Sequence, residues 1–196
     1  MTAGRGIIHS ERTPPEIRAA GHSMHGIQSW IGLPQADEEA APSFVHVGAD
    51  DLPSKTLGGV ALKIVAGKAY GLQAPVPTFS PIFYVDARFE SGASLDLTDE
   101  YAERGVFVVD GAVEIADAQH QPGTMIYFAP EESISIGAPD GARVMLVGGA
   151  PLDGARHIWW NFVSSSKDRL ERAKAEWRAN PTGHIAGDDE FIPLPD

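Results

Sequence analysis

The sequence has 196 residues, 43% of them apolar, and 27 acidic against 15 basic side chains give it a formal net charge of −12. That length and apolar content can build a core for one large or two small domains and exclude a disordered tail, while the acidic excess repels phosphate backbones and argues against direct nucleic-acid binding. Cysteine is absent, which removes disulfides and thiolate nucleophiles, and there is neither a membrane-length apolar run nor a charged-then-apolar leader at Met1–Gly6, so a soluble, cytoplasmic protein with no membrane partner is expected.

Chemistry first comes into view at His9-Ser10-Glu11. Behind the glycines at 4 and 6, Ile7–Glu11 reads as a strand whose two-residue period sets His9 and Glu11 on one face. An imidazole beside a carboxylate suits a first-row metal such as Fe(II). Two donors hold such an ion weakly, so at least one more is required, and the competing reading is a half-buried, hydrogen-bonded polar pair. His22 and His25 precede another strand; His25 is either a replacement ligand near that site or an ordinary cap or turn residue. Gln35–Pro42 is acidic and alanine-rich and reads as an exposed connection between two structural units. His46, between two valines, reads as outward-facing or hydrogen-bonded.

Glycine and proline then punctuate a series of short strands. Ala61–Ala66 and Pro81–Phe89 are strand candidates, and Gly58-Gly59 lacks the lysine and hydroxyl of a phosphate-binding loop. Gly105–Ile115 reads as a hairpin turned at Asp110-Gly111. Pro122-Gly123 turns the chain again before Thr124–Phe128, Ser133–Ile136 and Ala142–Val147, which add further strands, so that residues from about 55 to 150 form one sandwich or barrel. His120 falls in a polar turn, His157 beside two tryptophans reads as packing, and His184 lies in the tail. One helix is predicted from the serine caps at 164–166 through Trp177, with Leu170, Ala173 and Trp177 on one face and Asn180-Pro181 as its stop. The acidic tail lacks the ligand spacing of a calcium loop and reads as a strap docked by Phe191, Ile192 and Leu194.

These stretches resemble the pirin family of the cupin superfamily. Met1–Glu11 is similar to the motif that closes the family's metal site and Met24–Ile31 to the strand that follows it; Ala49–Pro53, Ser80–Tyr84 and Arg156–Ser166 continue the likeness. The resemblance implies a mainly β bicupin: the remainder of an incomplete first cupin barrel over 1–48, a complete second barrel over 49–163, and a C-terminal helix with an extended tail over 164–196. Family members hold a metal, usually iron, in the first barrel with three histidines and a glutamate. His9 and Glu11 match the third histidine and the glutamate, and the resemblance also makes Glu11 the candidate base for a flavonol hydroxyl. The other two histidines belong to a His-Pro-His segment upstream of the opening motif, so this chain is expected to begin inside its first barrel, with Fe(II) or another divalent first-row ion held weakly or absent. The second barrel, with no histidine in Gly92–Gly111 or at Thr124–Ile126, is expected to be metal-free.

Two functions follow from the resemblance. One is an Fe(II)-dependent quercetin 2,3-dioxygenase-type oxidoreductase acting on a flavonol-like small molecule, impaired in this chain. The other is a non-enzymatic regulator that binds protein partners, as a transcription cofactor or a modulator of metabolic enzymes. Open barrel edges would invite strand sharing, for instance in a homodimer.

Overall fold

A computed structural model describes residues 1–179, 185, 187, 188 and 191–195. The chain divides into two compact units, Val45–Pro151, and Met1–Phe44 together with Leu152–Asp196. Among the described residues no helix is long and apolar enough to cross a membrane.

The Val45–Pro151 unit is built from strands β1 (Ser54–Leu57), β2 (Val60–Ala69), β3 (Leu72–Gln73), β4 (Ile82–Phe89), β5 (Ala93–Asp96), β6 (Glu103–Gly111), β7 (Val113–Ile115), β8 (Ala118–His120), β9 (Met125–Phe128), β10 (Ser135–Ala138) and β11 (Ala142–Gly149). The larger sheet runs β1-β2-β4-β11-β6-β9, with β3 paired to β2, and the smaller runs β5-β10-β7-β8. Alternation along each strand decides its inner face: Val60, Leu62 and Ile64 of β2, Phe83, Val85 and Ala87 of β4, and Val106 and Val108 of β6 are buried. They join Leu95, Val113, Ile115 and Ile136 of the smaller sheet in one core, so the two sheets share a single apolar interior. Each large side chain buried there stabilises the fold by about 1.5–3 kcal/mol.

The strands expected around Ala61–Ala66, Pro81–Phe89, Thr124–Phe128, Ser133–Ile136 and Ala142–Val147 all form. The expected hairpin at Asp110-Gly111 does not. β6 pairs with β11 and β9 in the large sheet, whereas β7 pairs with β8 and β10 in the small one, so the chain changes sheets at Gly111. Gly111 has φ 70°, and a Cβ there would sit 2.4 Å from the Gly141 carbonyl oxygen, so the glycine serves a corner and not a turn. The hairpin forms one step later, where Ile115 faces Ala118 across Ala116 and Asp117 at φ 49° and 61°. Both positive angles match the twist of the flanking strands. No glycine announces this turn in the sequence.

In the other unit, α1 (Pro15–Ala20) begins with proline, and β12 (His157–Trp159) and β13 (Phe162–Ser164) form a hairpin that leads into α2 (Lys167–Ala179). The predicted serine cap is present: the Arg169 N–H donates to Ser166 Oγ at 3.3 Å. Leu170 is buried, and Trp177 lies edge-on to Trp160 at 5.3 Å while stacking on Phe191 at 5.8 Å. Lys174 Nζ sits 4.2 Å from the centroid of Trp159. The helix stop at Asn180-Pro181 and His184 lie outside the described residues.

Two expected strands are absent. Ile7–Glu11 and Met24–Ile31 have no ladder partner among the described residues, and a strand requires one. Gln35–Pro42 is also more than an exposed connection: it opens with a single 3-10 turn at Gln35–Asp37 and carries Glu38, the acceptor at the centre of this unit's polar network.

Candidate functional site

The stretch that carries His9 and Glu11 is held at both ends. Upstream, Thr2 and Ser43 form a two-bond bridge, and the Arg5 N–H donates to the Ala40 carbonyl at 3.0 Å. Gly4, at φ 51°, makes this possible, since a Cβ would lie 2.0 Å from that same carbonyl oxygen. Arg169 of α2 adds a bond to the Arg5 carbonyl at 2.8 Å and an ion pair with Glu39 at 2.8 Å. Downstream, Arg12 forms a forked pair with Asp188 at 2.9 and 2.8 Å, and Ser10 Oγ donates to the same carboxylate. His9 and Glu11 lie between these anchors, and both are exposed. His22 and His25 are exposed as well, beyond α1.

The chemistry of the pair suits a divalent ion, since a neutral imidazole and a carboxylate are donors that such an ion accepts. Their number does not match: the described residues hold no group of three or more His, Cys, Asp or Glu able to hold a metal ion.

Farther along the chain, Glu38 accepts from Arg156 Nε at 2.6 Å, from the Ser165 N–H at 3.0 Å and from Ser165 Oγ at 2.8 Å. Arg156 also donates to the Leu33 carbonyl and to Asp153. Its side chain is only 5% exposed. Arg156 thus joins the loop before β12 to the segment at 33–38, and Ser165 joins the start of α2 to the same Glu38. The tail is docked chiefly by Phe191 on Trp177 and by the bond from Trp177 Nε1 to the Ile192 carbonyl at 3.0 Å; the Ile192 side chain itself is 62% exposed.

The interior of the Val45–Pro151 unit is filled by apolar side chains and by one guanidinium. Arg104 is 3% exposed and shares the inner face of β6 with Val106 and Val108. Its Nη2 donates to the Ala129 carbonyl at 3.1 Å and the Glu132 carbonyl at 2.7 Å, while Nε and Nη1 have no partner in the structure. A permanent positive charge in that interior works against binding a cation there. In the same unit, the Tyr70 phenol donates to the Asp96 carbonyl and accepts from the Thr98 N–H; burial raises its pKa to about 12, with the charges of Asp96 and Glu100 adding to the effect.

Sequence reading singled out His9, Glu11 and the serine cap, of which the structure shows the cap, and missed Arg156, Glu38, Arg104 and Asp188. Only Arg104 left a local sign, as a charged residue in phase with the buried valines of its strand.

The fold and its inward alternation define a cupin-type β-sandwich. Residues 84–183 match the Pirin C-terminal cupin domain. The whole chain is 44% identical to a pirin-like protein of Caulobacter vibrioides, of which it covers 68%. It belongs to the pirin family. Over 90% of its length it is 35% identical to a Pseudomonas aeruginosa protein named for a proposed quercetin 2,3-dioxygenase activity, and covers 55% of that protein. A solved structure of a quercetin 2,3-dioxygenase from Acinetobacter baumannii superposes with a TM-score of 0.74 at 23% identity, over 80% of this chain and 56% of that one, which establishes the common fold. The chain thus spans little more than half the length of the latter two proteins.

Proposed function

We propose that this chain serves a metal-dependent oxidoreductase of the quercetin 2,3-dioxygenase type, to which it contributes His9 and Glu11 as two ligands of a divalent ion and Glu11 as the base for a flavonol hydroxyl. The observation that carries the reading is an accessible imidazole and carboxylate two residues apart, in a chain 35% identical to the Pseudomonas protein. Bound there, Fe(II) would supply the contact between substrate oxygen and dioxygen. The chain's own residues hold the donor stretch between Ala40 and Asp188, and a carboxylate at 11 can accept a proton from a phenolic hydroxyl brought within hydrogen-bond reach. The donors that complete a shell come from outside the described residues, and the ion bound to this chain alone is held weakly. Residues 1–48 belong, in this reading, to the first cupin, 49–163 to the second and 164–196 to its helix and tail, in a cytoplasmic protein.

The test is equilibrium dialysis of the protein against Fe(II) under anaerobic conditions, followed by oxygen uptake with quercetin. The reading expects weak metal retention and a low quercetin-dependent uptake, both lost in His9→Ala and Glu11→Ala. Retention that is undiminished in both variants, or no retention in the parent, rejects the pair as ligands.

A second reading has its own support. Met24 at 83%, Phe44 at 71% and Ile158 at 65% exposure are large apolar side chains in contact with solvent, all within the unit that carries the net of Glu38 and Arg156. Exposed apolar area of this kind fits a regulator that binds a protein partner or a second copy of this chain. Sedimentation as a function of concentration, and titration with a purified candidate partner, separate this reading from the first: a monomer without saturable binding argues against it.

A further inference from the structure

We propose that Asp188 is a positioning residue whose carboxylate latches the segment carrying His9 and Glu11. The inference rests on the ligand reading of that pair for its functional meaning, but the latch itself stands on geometry. Asp188 Oδ2 accepts from Ser10 Oγ and from Arg12 Nε at 2.9 Å, and Oδ1 accepts from Arg12 Nη2 at 2.8 Å. Ser10 is the residue between His9 and Glu11, and Arg12 the one immediately after. One carboxylate 176 to 178 residues away along the chain therefore grips the donor stretch at alternate positions.

The arrangement answers a problem that the fold leaves open. Ile7–Glu11 has no ladder among the described residues to fix its backbone, so nothing in secondary structure orders the two donors. A forked arginine-carboxylate pair supplies direction as well as attraction, because two parallel N–H···O bonds define a plane. Asp188 has a side-chain exposure of 14% against 42% for Arg12, so the anchoring end is the more sheltered one. The tail near it is tied to the body of the same unit, through Phe191 on Trp177 and the Trp177 bond to the Ile192 carbonyl. The contact of Phe191 with Trp177 thus ties the tail to α2, and through Asp188 the tail bears on the placement of His9 and Glu11 without touching a ligand.

Local proteolysis of the full chain tests the latch. A glutamate-specific protease cuts after Glu11, a bond whose recognition does not involve Asp188 or Arg12 as the specificity residue, and trypsin cutting after Arg18 in α1 gives an internal reference. Asp188→Asn keeps the size of the side chain and removes its charge; cleavage after Glu11 is expected to rise about five-fold or more, the factor that corresponds to losing one modest ion-pair interaction. Cleavage after Arg18 should not change, and Asp188→Glu should restore most of the protection. Arg12→Gln opens the latch from the other side, so it should reproduce the effect, and the double variant should be no worse than either single one. Unchanged cleavage after Glu11 in Asp188→Asn, or additive effects in the double variant, overturns the proposal. The same variants dialysed against Fe(II) read the positioning role separately from the ligand assignment, which His9→Ala and Glu11→Ala test: faster cleavage with undiminished metal retention overturns the positioning role of Asp188, whereas reduced retention supports it.

Discussion

Replacing Glu38 with alanine removes the acceptor shared by Arg156 and the residues ahead of α2, and the cost can be worked from the contacts. The carboxylate receives Arg156 Nε at 2.6 Å, the Ser165 N–H at 3.0 Å and Ser165 Oγ at 2.8 Å. Side-chain exposures of 5% for Arg156 and 16% for Glu38 place the pair among sheltered ion pairs, where loss of one partner costs about 3–5 kcal/mol because the other charge is left uncompensated. Arg156 keeps Asp153 and the Leu33 carbonyl, which brings the expectation to the lower end, about 3 kcal/mol. All four tryptophans, at 30, 159, 160 and 177, belong to the unit that contains the pair, and all four tyrosines, at 70, 84, 101 and 127, belong to the other. Urea unfolding followed by tryptophan emission should therefore shift to lower denaturant by roughly 1.5–3 M, given slopes of about 1–2 kcal/mol/M, while the near-ultraviolet signal of the tyrosines moves much less. A double-mutant cycle with Arg156→Ala should give a coupling of about 1–3 kcal/mol. A tryptophan transition displaced by less than about 1 kcal/mol, or no coupling in the cycle, would refute the claim that this pair holds its unit together.

Gly148→Ala should destabilise the larger sheet by about 3 kcal/mol or more, because the new Cβ falls 2.1 Å from the Glu103 carbonyl oxygen and 2.4 Å from Phe83 Cε1; tyrosine-monitored unfolding measures it. Tyr70 sets a limit at high pH. Its folded pKa of about 12 against 10.0 for a free phenol means that the unfolded chain loses this proton first, so stability is intact below pH 10 and falls between pH 10 and 12 by up to about 3 kcal/mol. Tyr70→Phe should flatten that limb of the stability curve; an unchanged slope would show that another group is responsible. Phe83→Ala, which empties a fully buried position in contact with Tyr101 at 5.4 Å, should cost about 3–5 kcal/mol in the same assay.

Local pattern alone determined most of the β architecture. The alternation of Val60, Leu62 and Ile64, or of Val106 and Val108, needs only a two-residue period and an apolar interior to be read, and the serines before Lys167 advertise a helix cap through their own chemistry. The likeness of Met1–Glu11 to a pirin motif likewise singled out His9 and Glu11. Tertiary structure decided what depends on residues far apart in the chain. Gly111 became a corner between sheets because Ala142 and Gly141 lie against it, and Ile7–Glu11 is not a strand because no described neighbour shares its hydrogen bonds. Glu38, Arg156 and Asp188 carry no local mark of their roles, since an ion pair spanning more than a hundred residues leaves no periodicity or spacing behind. Such contacts exist only once the chain has brought their charges within a few ångströms, which is why His9 and Glu11 could be singled out from the sequence while Glu38, Arg156 and Asp188 could not.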